Sequence, residues 1–523
     1  MRYVSFYIVS DILFDCMPTT NEKIGQLIYH LRQDRGLTQA AFARQLGTSQ
    51  SAVNRIEHGG QNLSLDTLGR ISDVLQKPII SISGSTMNLR VEGGHELKGN
   101  ITLKTSKNAA VALICASLLN KGTTRLKNIA RIEEVNRMIE VLQSIGVQVR
   151  WLVDNDLEIK PPARLDLKNI NNESARTTRS VLMLLGPLVH DYKEFKIPYA
   201  GGCKLGRRTI APHLYALEQF GVNVKAHSGF FEVLVNKHSS DQRIVLYEQG
   251  NTVTNNALMA AARTNATTII QGASADYMVQ DLCYFLQKLG VKIKGVGSSI
   301  LTVTGTTNIK KSVSYAPTED PIEAMFFIAA AIATNSKLEI RRVPIYWIGL
   351  ELFKLKTMGL IFRTSKTYKA ANGEIDLANI EIQKHNGGLV APKDKLHPNL
   401  WPGINPDNIP YFVPIAAVCK GRTLIHDWMF ENRAIYYTEM TKIGMNIELA
   451  DPHRIYIQGP SHFTSADVVS PPALRPASLL LIGMLAAEGT SVLRNVYTIN
   501  RGYEDLAERL NSLGAHIQVL NEI

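Results

Sequence analysis

Apolar residues near the N-terminus recur at helical spacing. Ile24, Leu27, Ile28 and Leu31 form one stripe, and Gly36 closes that helix. Thr38 caps a second helix through Ala41, Phe42 and Leu46, and Gly47 makes the turn. Ser49 caps a third, in which Val53 and Ile56 point inward and Gln50, Ser51, Asn54 and Arg55 outward. Ser64 opens a further helix carrying Leu65, Leu68, Ile71 and Leu75. Residues 20–84 are therefore expected to form a small all-α domain, with the stretch KPIISISGST (77–86) as its linker. Residues 1–19 are apolar but broken by Asp11 and Asp15, and are expected to be a poorly ordered leader.

Beyond Met87 a different pattern repeats. An amphipathic run ends at a glycine and a short alternating strand follows: VLQSIGVQVR, ALEQFGVNVK, FLQKLGVKIK, FKLKTMGLIFR, EMTKIGMNIE and RLNSLGAHIQ. The glycines are Gly146, Gly221, Gly290, Gly359, Gly444 and Gly514, spaced by 75, 69, 69, 85 and 70 residues. Turn-and-strand segments such as KGTTRLKN, NATTIIQG, KGRTLIHD and EGTSVLRN precede most of them. Each unit reads as strand, helix, glycine, strand, the glycine supplying a left-handed helix cap. One unit buries too little apolar surface to stand alone, so the units must pack together into a symmetric α/β architecture.

Composition changes this picture little. A chain of 523 residues needs two or three domains, and 45% hydrophobic with 20% charged residues is ordinary for a globular protein. The formal charge of +11 suits an anionic partner. Residues 20–84 carry seven Lys/Arg against five Asp/Glu, so the helical module is only weakly basic. The five cysteines form no CxxC pair, which points to neither a disulfide framework nor a zinc site and fits a reducing cytoplasm. No apolar run is long enough to span a membrane.

Two segments carry chemistry. Gly36-Leu37-Thr38-Gln39, Ala43, Gly47, Ser49, Val53 and Ile56-Glu57-x-Gly59 resemble the phage-repressor-like helix-turn-helix family. That resemblance implies DNA as partner, with Gln39, Gln50, Ser51, Asn54 and Arg55 as the contacting residues. The alternative is a helical dimerisation module, and a homodimer fits either reading.

The second segment is marked by SKNAA (106–110), TTRSVLMLLGPL (177–188), GGCKLGRR (201–208), PDN (406–408), FENR (430–433), LR (474–475) and NRGYE (500–504). These residues resemble the enolpyruvyl transferases. The resemblance implies two inverse α/β barrel lobes of three βαβαββ units each, about 108–310 and 87–107 plus 311–523, with the active site between them. It implies transfer of the enolpyruvyl group of phosphoenolpyruvate to the 3-hydroxyl of UDP-N-acetylglucosamine, without metal or organic cofactor.

By the same match Lys107, Arg208 and Arg501 face the phosphate, and Arg433 and Arg475 take the carboxylate or support the closed site. Asn108 and Arg179 line the sugar and closure side, and His213 and Gly250 also bind substrate. Asp407 orients or deprotonates the acceptor hydroxyl, and Cys203 acts in proton transfer. Asp320 and Glu323 form an acidic pair. The sequence departs from the family pattern at Ala473 and Asn500, where aspartates are usual. It departs again on the nucleotide side at Thr209, Ala211 and Leu246, usually proline, aspartate and lysine. These departures keep open another nucleotide-type acceptor, or a DNA-binding regulator that uses the transferase module as a precursor sensor.

Overall fold

The computed structural model describes residues 20–61, 63–75, 87–201, 209–236 and 242–521; the leader, the linker, Cys203 and Arg208 lie outside the described residues. The chain divides into two compact units, one up to Thr86 and one spanning Met87–Leu520. Among the described residues, no helix is long and apolar enough to cross a membrane.

The first unit holds helices α1 (Thr20–Asp34), α2 (Gln39–Leu46), α3 (Gln50–Glu57) and α4 (Leu65–Leu75). The Thr38 hydroxyl accepts the Ala41 N–H at 3.2 Å, and the Ser49 hydroxyl accepts that of Ala52 at 3.2 Å. Gly47 closes α2 in the left-handed region at φ 67°. Ile28, Phe42, Val53, Ile56, Leu68, Ile71 and Leu75 form the core.

The α1 stripe is narrower than its periodicity predicts, because Leu27 is 42% exposed. Gly25 explains this: a Cβ there would stand 2.4 Å from the Ile56 carbonyl oxygen and 2.7 Å from that of Glu57. The bare glycine lets α1 press on α3 along Gly25 and Ile28, turning Leu27 outward. Beneath this contact the buried Arg32 guanidinium pairs with Glu57, its Nη2 at 3.0 Å from Oε2.

In the second unit all six repeat glycines take φ between 76° and 105°. The strand after each lies in a separate sheet: Gln148–Trp151, Val222–Ala226, Lys292–Lys294, Phe362–Thr364, Asn446–Asp451 and His516–Asn521. Three sheets are built from residues 124–315 and three from 87–102 with 338–521. The strand Val313–Tyr315 pairs parallel with Thr124–Leu126, so the middle lobe runs past the expected boundary at 310.

Two separate hydrophobic cores underlie the two sets of sheets. The helices are inside. Every residue of Pro321–Ala333 is buried, as are Arg475–Leu485 and Ala109–Ala116. Helices apolar all round have no solvent face, which forces the sheets outward.

The segment before Gly444 departs from the expected amphipathic α-helix: Arg433–Ile443 winds as a 3-10 helix. The hydroxyls of Thr438 and Thr441 donate to carbonyls three residues back, at 2.7 and 2.8 Å, which favours the tighter turn over the α ladder. The chain crosses between lobes along two adjacent stretches. Thr105 bridges Glu319, the Ser106 N–H donates to Thr318 at 2.8 Å, and the Asp320 N–H donates to Lys104 at 2.9 Å.

Candidate active site

Each crossing stretch ends where a buried helix begins. Ser106 caps helix α5 (Lys107–Ala116), and Asp320 caps Pro321–Ala333 by accepting the Ile322 N–H at 2.8 Å. A third buried helix, Leu474–Ala486, starts beside them with Ala473 at its cap and no side-chain bond to its free N–H groups. Helix starts carry partial positive charge. Lys107 and Arg475 add full charges at the first turns of two of these three helices.

Lys107 is the electrostatic centre. Burial pushes its pKa down; Glu134 and Asp407 pull it back up, while Arg475 and Arg501 lower it further. Those influences bring Lys107, Asp407, Arg475 and Arg501, four residues read from separate motifs, into one cluster.

Asp407 sits in an Asx turn, its N–H donating to Asn405 Oδ1 at 2.9 Å. Arg433 Nη1 reaches its Oδ1 at 3.5 Å, and Arg475 Nη2 reaches its Oδ2 at 3.5 Å. Its side chain keeps 31% exposure toward the cleft, whereas both arginines are nearly closed off.

Each arginine has an anchor behind it. Asp427 accepts Arg433 Nε at 2.6 Å and Nη2 at 2.8 Å, Pro406 O accepts Nη2 at 2.6 Å, and the Phe430 ring lies 4.2 Å from its Cζ. Arg475 Nη1 donates to the Tyr503 and Tyr411 hydroxyls at 2.9 and 3.3 Å. Fixed guanidinium forks suit recognition of carboxylate and phosphate.

Arg501 is held from the opposite lobe. Its Nε and Nη2 donate to Glu134 Oε2 at 2.9 and 2.8 Å. Ser180 donates to Glu134 Oε1 at 3.0 Å, and the Thr178 hydroxyl also bonds that oxygen. Burial would raise the Glu134 pKa, but the Lys107 and Arg501 charges and the Thr178 hydroxyl hold it below its usual range.

Glu134 escaped the sequence reading, as did Asp427 and the Tyr411–Tyr503 pair. Glu133 and Glu134 open helix α6 (Glu133–Ser144), where an acidic first turn is commonplace and signals no site.

The remaining residues divide. Arg179, between Thr178 and Ser180, donates to the Thr209 carbonyl at 2.9 Å. Asn108 lies in the first turn of α5 next to Lys107. Gly250 is the N-cap of Asn251–Ala262. Asp320 stays with the cluster: burial pushes its pKa up to about 6 against the opposing charge of Arg475. Glu323 turns away, accepting Arg509 Nη2 at 3.1 Å and the Lys104 N–H at 2.8 Å.

His213 is buried, with Asn256 Nδ2 donating to its Nδ1 at 2.9 Å and its Nε2 at 3.3 Å from the Thr252 hydroxyl. Burial, then the Arg179 charge, pushes its pKa down to about 4. Asp276, at the cap of Tyr277–Leu289, joins the floor of the site; burial and then Asp407 and Asp320 carry its pKa up to about 7.

In the first unit Gln50, Ser51, Asn54 and Arg55 are exposed. Gln39 instead donates to Glu57 at 2.8 Å and to Asn54 at 3.4 Å.

Two lobes with helices inside and sheets outside gather Lys107, Arg433, Arg475 and Arg501 with the carboxylates of Asp407 and Glu134, and the likeness to known proteins assigns the class, the enolpyruvyl transferases. The chain belongs to the EPSP synthase (3-phosphoshikimate 1-carboxyvinyltransferase) family, whose sequence profile matches residues 91–510; a helix-turn-helix profile matches residues 28–82.

Among its relatives, the UDP-N-acetylglucosamine 1-carboxyvinyltransferase of Bradyrhizobium diazoefficiens is 32% identical over 432 residues, 83% of this chain and 98% of that protein. That of Treponema denticola is 32% identical over 429 residues, covering 82% and 98%. The crystal structure of the enolpyruvyl transferase NikO from Streptomyces tendae superposes with a TM-score of 0.72 at 21% identity, covering 84% of this chain and all (100%) of that one. EPSP synthase from Acinetobacter baumannii gives 0.63 at 17% identity, covering 83% and 100%. At these identities the two structures speak to the fold alone.

Proposed function

We propose that this enolpyruvyl transferase uses UDP-N-acetylglucosamine as acceptor, moving the enolpyruvyl group of phosphoenolpyruvate onto its 3-hydroxyl and releasing phosphate. The observation that carries this reading is that Lys107, Arg433, Arg475 and Arg501 gather in one cluster with the half-open carboxylate of Asp407. Relatives bearing the name UDP-N-acetylglucosamine 1-carboxyvinyltransferase, which align along 82–83% of the chain, support it.

The cations hold a polyanionic phosphoenolpyruvate, and Asp407 accepts or orients the hydroxyl proton. The hydroxyl oxygen bonds C2 while C3 gains a proton. The C2–O bond to phosphate then breaks as C3 loses one, restoring the double bond. Cys203 is assigned to the C3 proton transfer.

The DNA-binding role of the first unit is part of the same proposal, resting on the exposed Gln50, Ser51, Asn54 and Arg55 face. Phosphate release measured with phosphoenolpyruvate and a panel of UDP-sugars tests the acceptor. Release that depends on UDP-N-acetylglucosamine supports it; turnover with every other acceptor but not this one overturns it.

One observation favours a different nucleotide-type acceptor. Leu246 is buried where the family pattern has a lysine, and Glu248 brings Oε1 to 3.1 Å from where a Cβ on Gly250 would stand. A carboxylate beside that helix start opposes a diphosphate. The same panel, extended to nucleoside monophosphates, separates the two readings.

A further inference from the structure

We propose that Glu92, His95 and His516 form a binding site for a zinc-class divalent metal on the outer face of the lobe that carries both ends of this unit. Glu92 and His95 stand three residues apart, but His516 comes from the far end of this unit, so no spacing motif announces the set. The fold assembles them. Glu92 stands at an exposed position of strand β1 (Met87–Gly93), and Gly94, at φ 80°, turns the chain so that His95 follows beside it. His516 opens the strand His516–Asn521, the neighbour of β1 in the sheet.

One carboxylate oxygen of Glu92 and one ring nitrogen from each histidine all lie within 4.8 Å of one another. Glu92 Oε1 is 3.9 Å from His95 Nε2, and Glu92 Oε2 is 3.9 Å from His516 Nδ1. The two imidazoles stack with centroids 4.4 Å apart and planes 20° from parallel.

The second observation is an unmet donor or acceptor. His95 Nε2 is shielded from solvent and has no hydrogen-bond partner. A buried polar atom left without a partner is costly, so it calls for an occupant. Two imidazole nitrogens and one carboxylate oxygen are the donor set of a three-protein-ligand zinc site, with water completing a tetrahedron. Calcium and magnesium, which take oxygen cages, do not fit it.

Ligands bound at about 2.0–2.2 Å in a tetrahedron stand roughly 3.3–3.5 Å apart, so the donors must close by about 1 Å. The Glu92 and His516 side chains, 61% and 57% exposed, can make that movement by rotation. A hollow of ≈ 340 Å³ beside them, lined also by Arg90 and Asn511, gives room for the metal-bound water. Arg90 opposes a cation there and tunes the affinity downward. Filled, the site would clip the last strand of the chain to the first strand of this unit.

The test uses tag-free, full-length protein stripped with chelator and dialysed. ZnCl₂ is titrated by calorimetry, and Co²⁺ is followed by its tetrahedral d–d absorption. The wild type is expected to bind one more equivalent than the H95Q/H516Q double variant. Glu92→Gln should weaken that equivalent at least tenfold, and Arg90→Gln should tighten it. All four variants change side chains at the surface; circular dichroism and the single H516Q variant control for folding. Equal stoichiometry and affinity for zinc in wild type, H516Q and the double variant would mean adventitious binding and overturn the site.

Discussion

Asp407 and Asp427 both touch Arg433, yet their substitution by asparagine should have opposite consequences. Asp427 is fully buried and accepts Arg433 Nε and Nη2 at 2.6 and 2.8 Å, with the Tyr437 hydroxyl also on it. Removing its charge leaves a guanidinium of 1% exposure with a single carboxylate, Asp407, 3.5 Å away. Breaking a buried pair from one side costs about 3–5 kcal/mol. Asp407 is 31% exposed and its two arginine contacts are both 3.5 Å. Partly exposed pairs contribute roughly 0–1 kcal/mol each, so Asp407→Asn should change stability by no more than about 1–2 kcal/mol. Its loss should instead lower turnover by roughly 10²–10⁴, the usual worth of a positioned base. Phosphate release under saturating substrates and urea denaturation, run on both variants, read the two quantities independently. Wild-type turnover in Asp407→Asn, or equal stability losses in the two variants, would refute the assignment of base to one carboxylate and anchor to the other.

The contribution of Asp276 to the stability of the transferase unit should fall as pH rises from about 4 to 7, because burial carries its pKa from its ordinary 3.8 to about 7. A raised carboxyl pKa means the folded state binds the proton more tightly; its contribution is whole below 3.8 and lost through about 7. Asp276→Asn should flatten that fall in denaturation curves taken across the range. Glu134→Gln removes the largest charge supporting protonated Lys107, so the basic limb of the pH profile of kcat/KM should move to lower pH; an unmoved limb would separate Lys107 from catalysis. In the first unit, Arg32→Ala should cost about 3–5 kcal/mol by stranding the buried Glu57, seen as early proteolysis of residues 20–75 in the intact chain. Gly25→Ala should act similarly, since its Cβ would meet backbone oxygen at 2.4 Å.

Much of the architecture was readable from the chain because it depends on local chemistry. A left-handed helix stop favours glycine, so six glycines at a near-constant interval announced six units, and each is found at positive φ. Lys107, Asp407, Arg475 and Arg501, picked out by the motifs flanking them, are brought into one cluster by the fold. Glu134 was not, because its importance arises from a lobe closing over Arg501 from 367 residues away. Asp427 likewise lies in an ordinary HDW stretch, and only the fold shows the Arg433 side chain bonded to it. Leu27 misled for the converse reason: periodicity marks an apolar face but not how wide a face its neighbour covers. The 3-10 winding of Arg433–Ile443 was hidden because hydroxyl bonds to carbonyls three residues back leave the apolar pattern unchanged.

The paired crossing at Thr105 and Glu319 runs directly into Lys107 and Asp320. The joint between the lobes and the candidate site thus share the same handful of residues, with no lever arm between them. Any ligand that draws the lobes together must reposition the lysine and the buried acid in the same stroke. A substitution intended only to loosen the joint would detune the chemistry along with it.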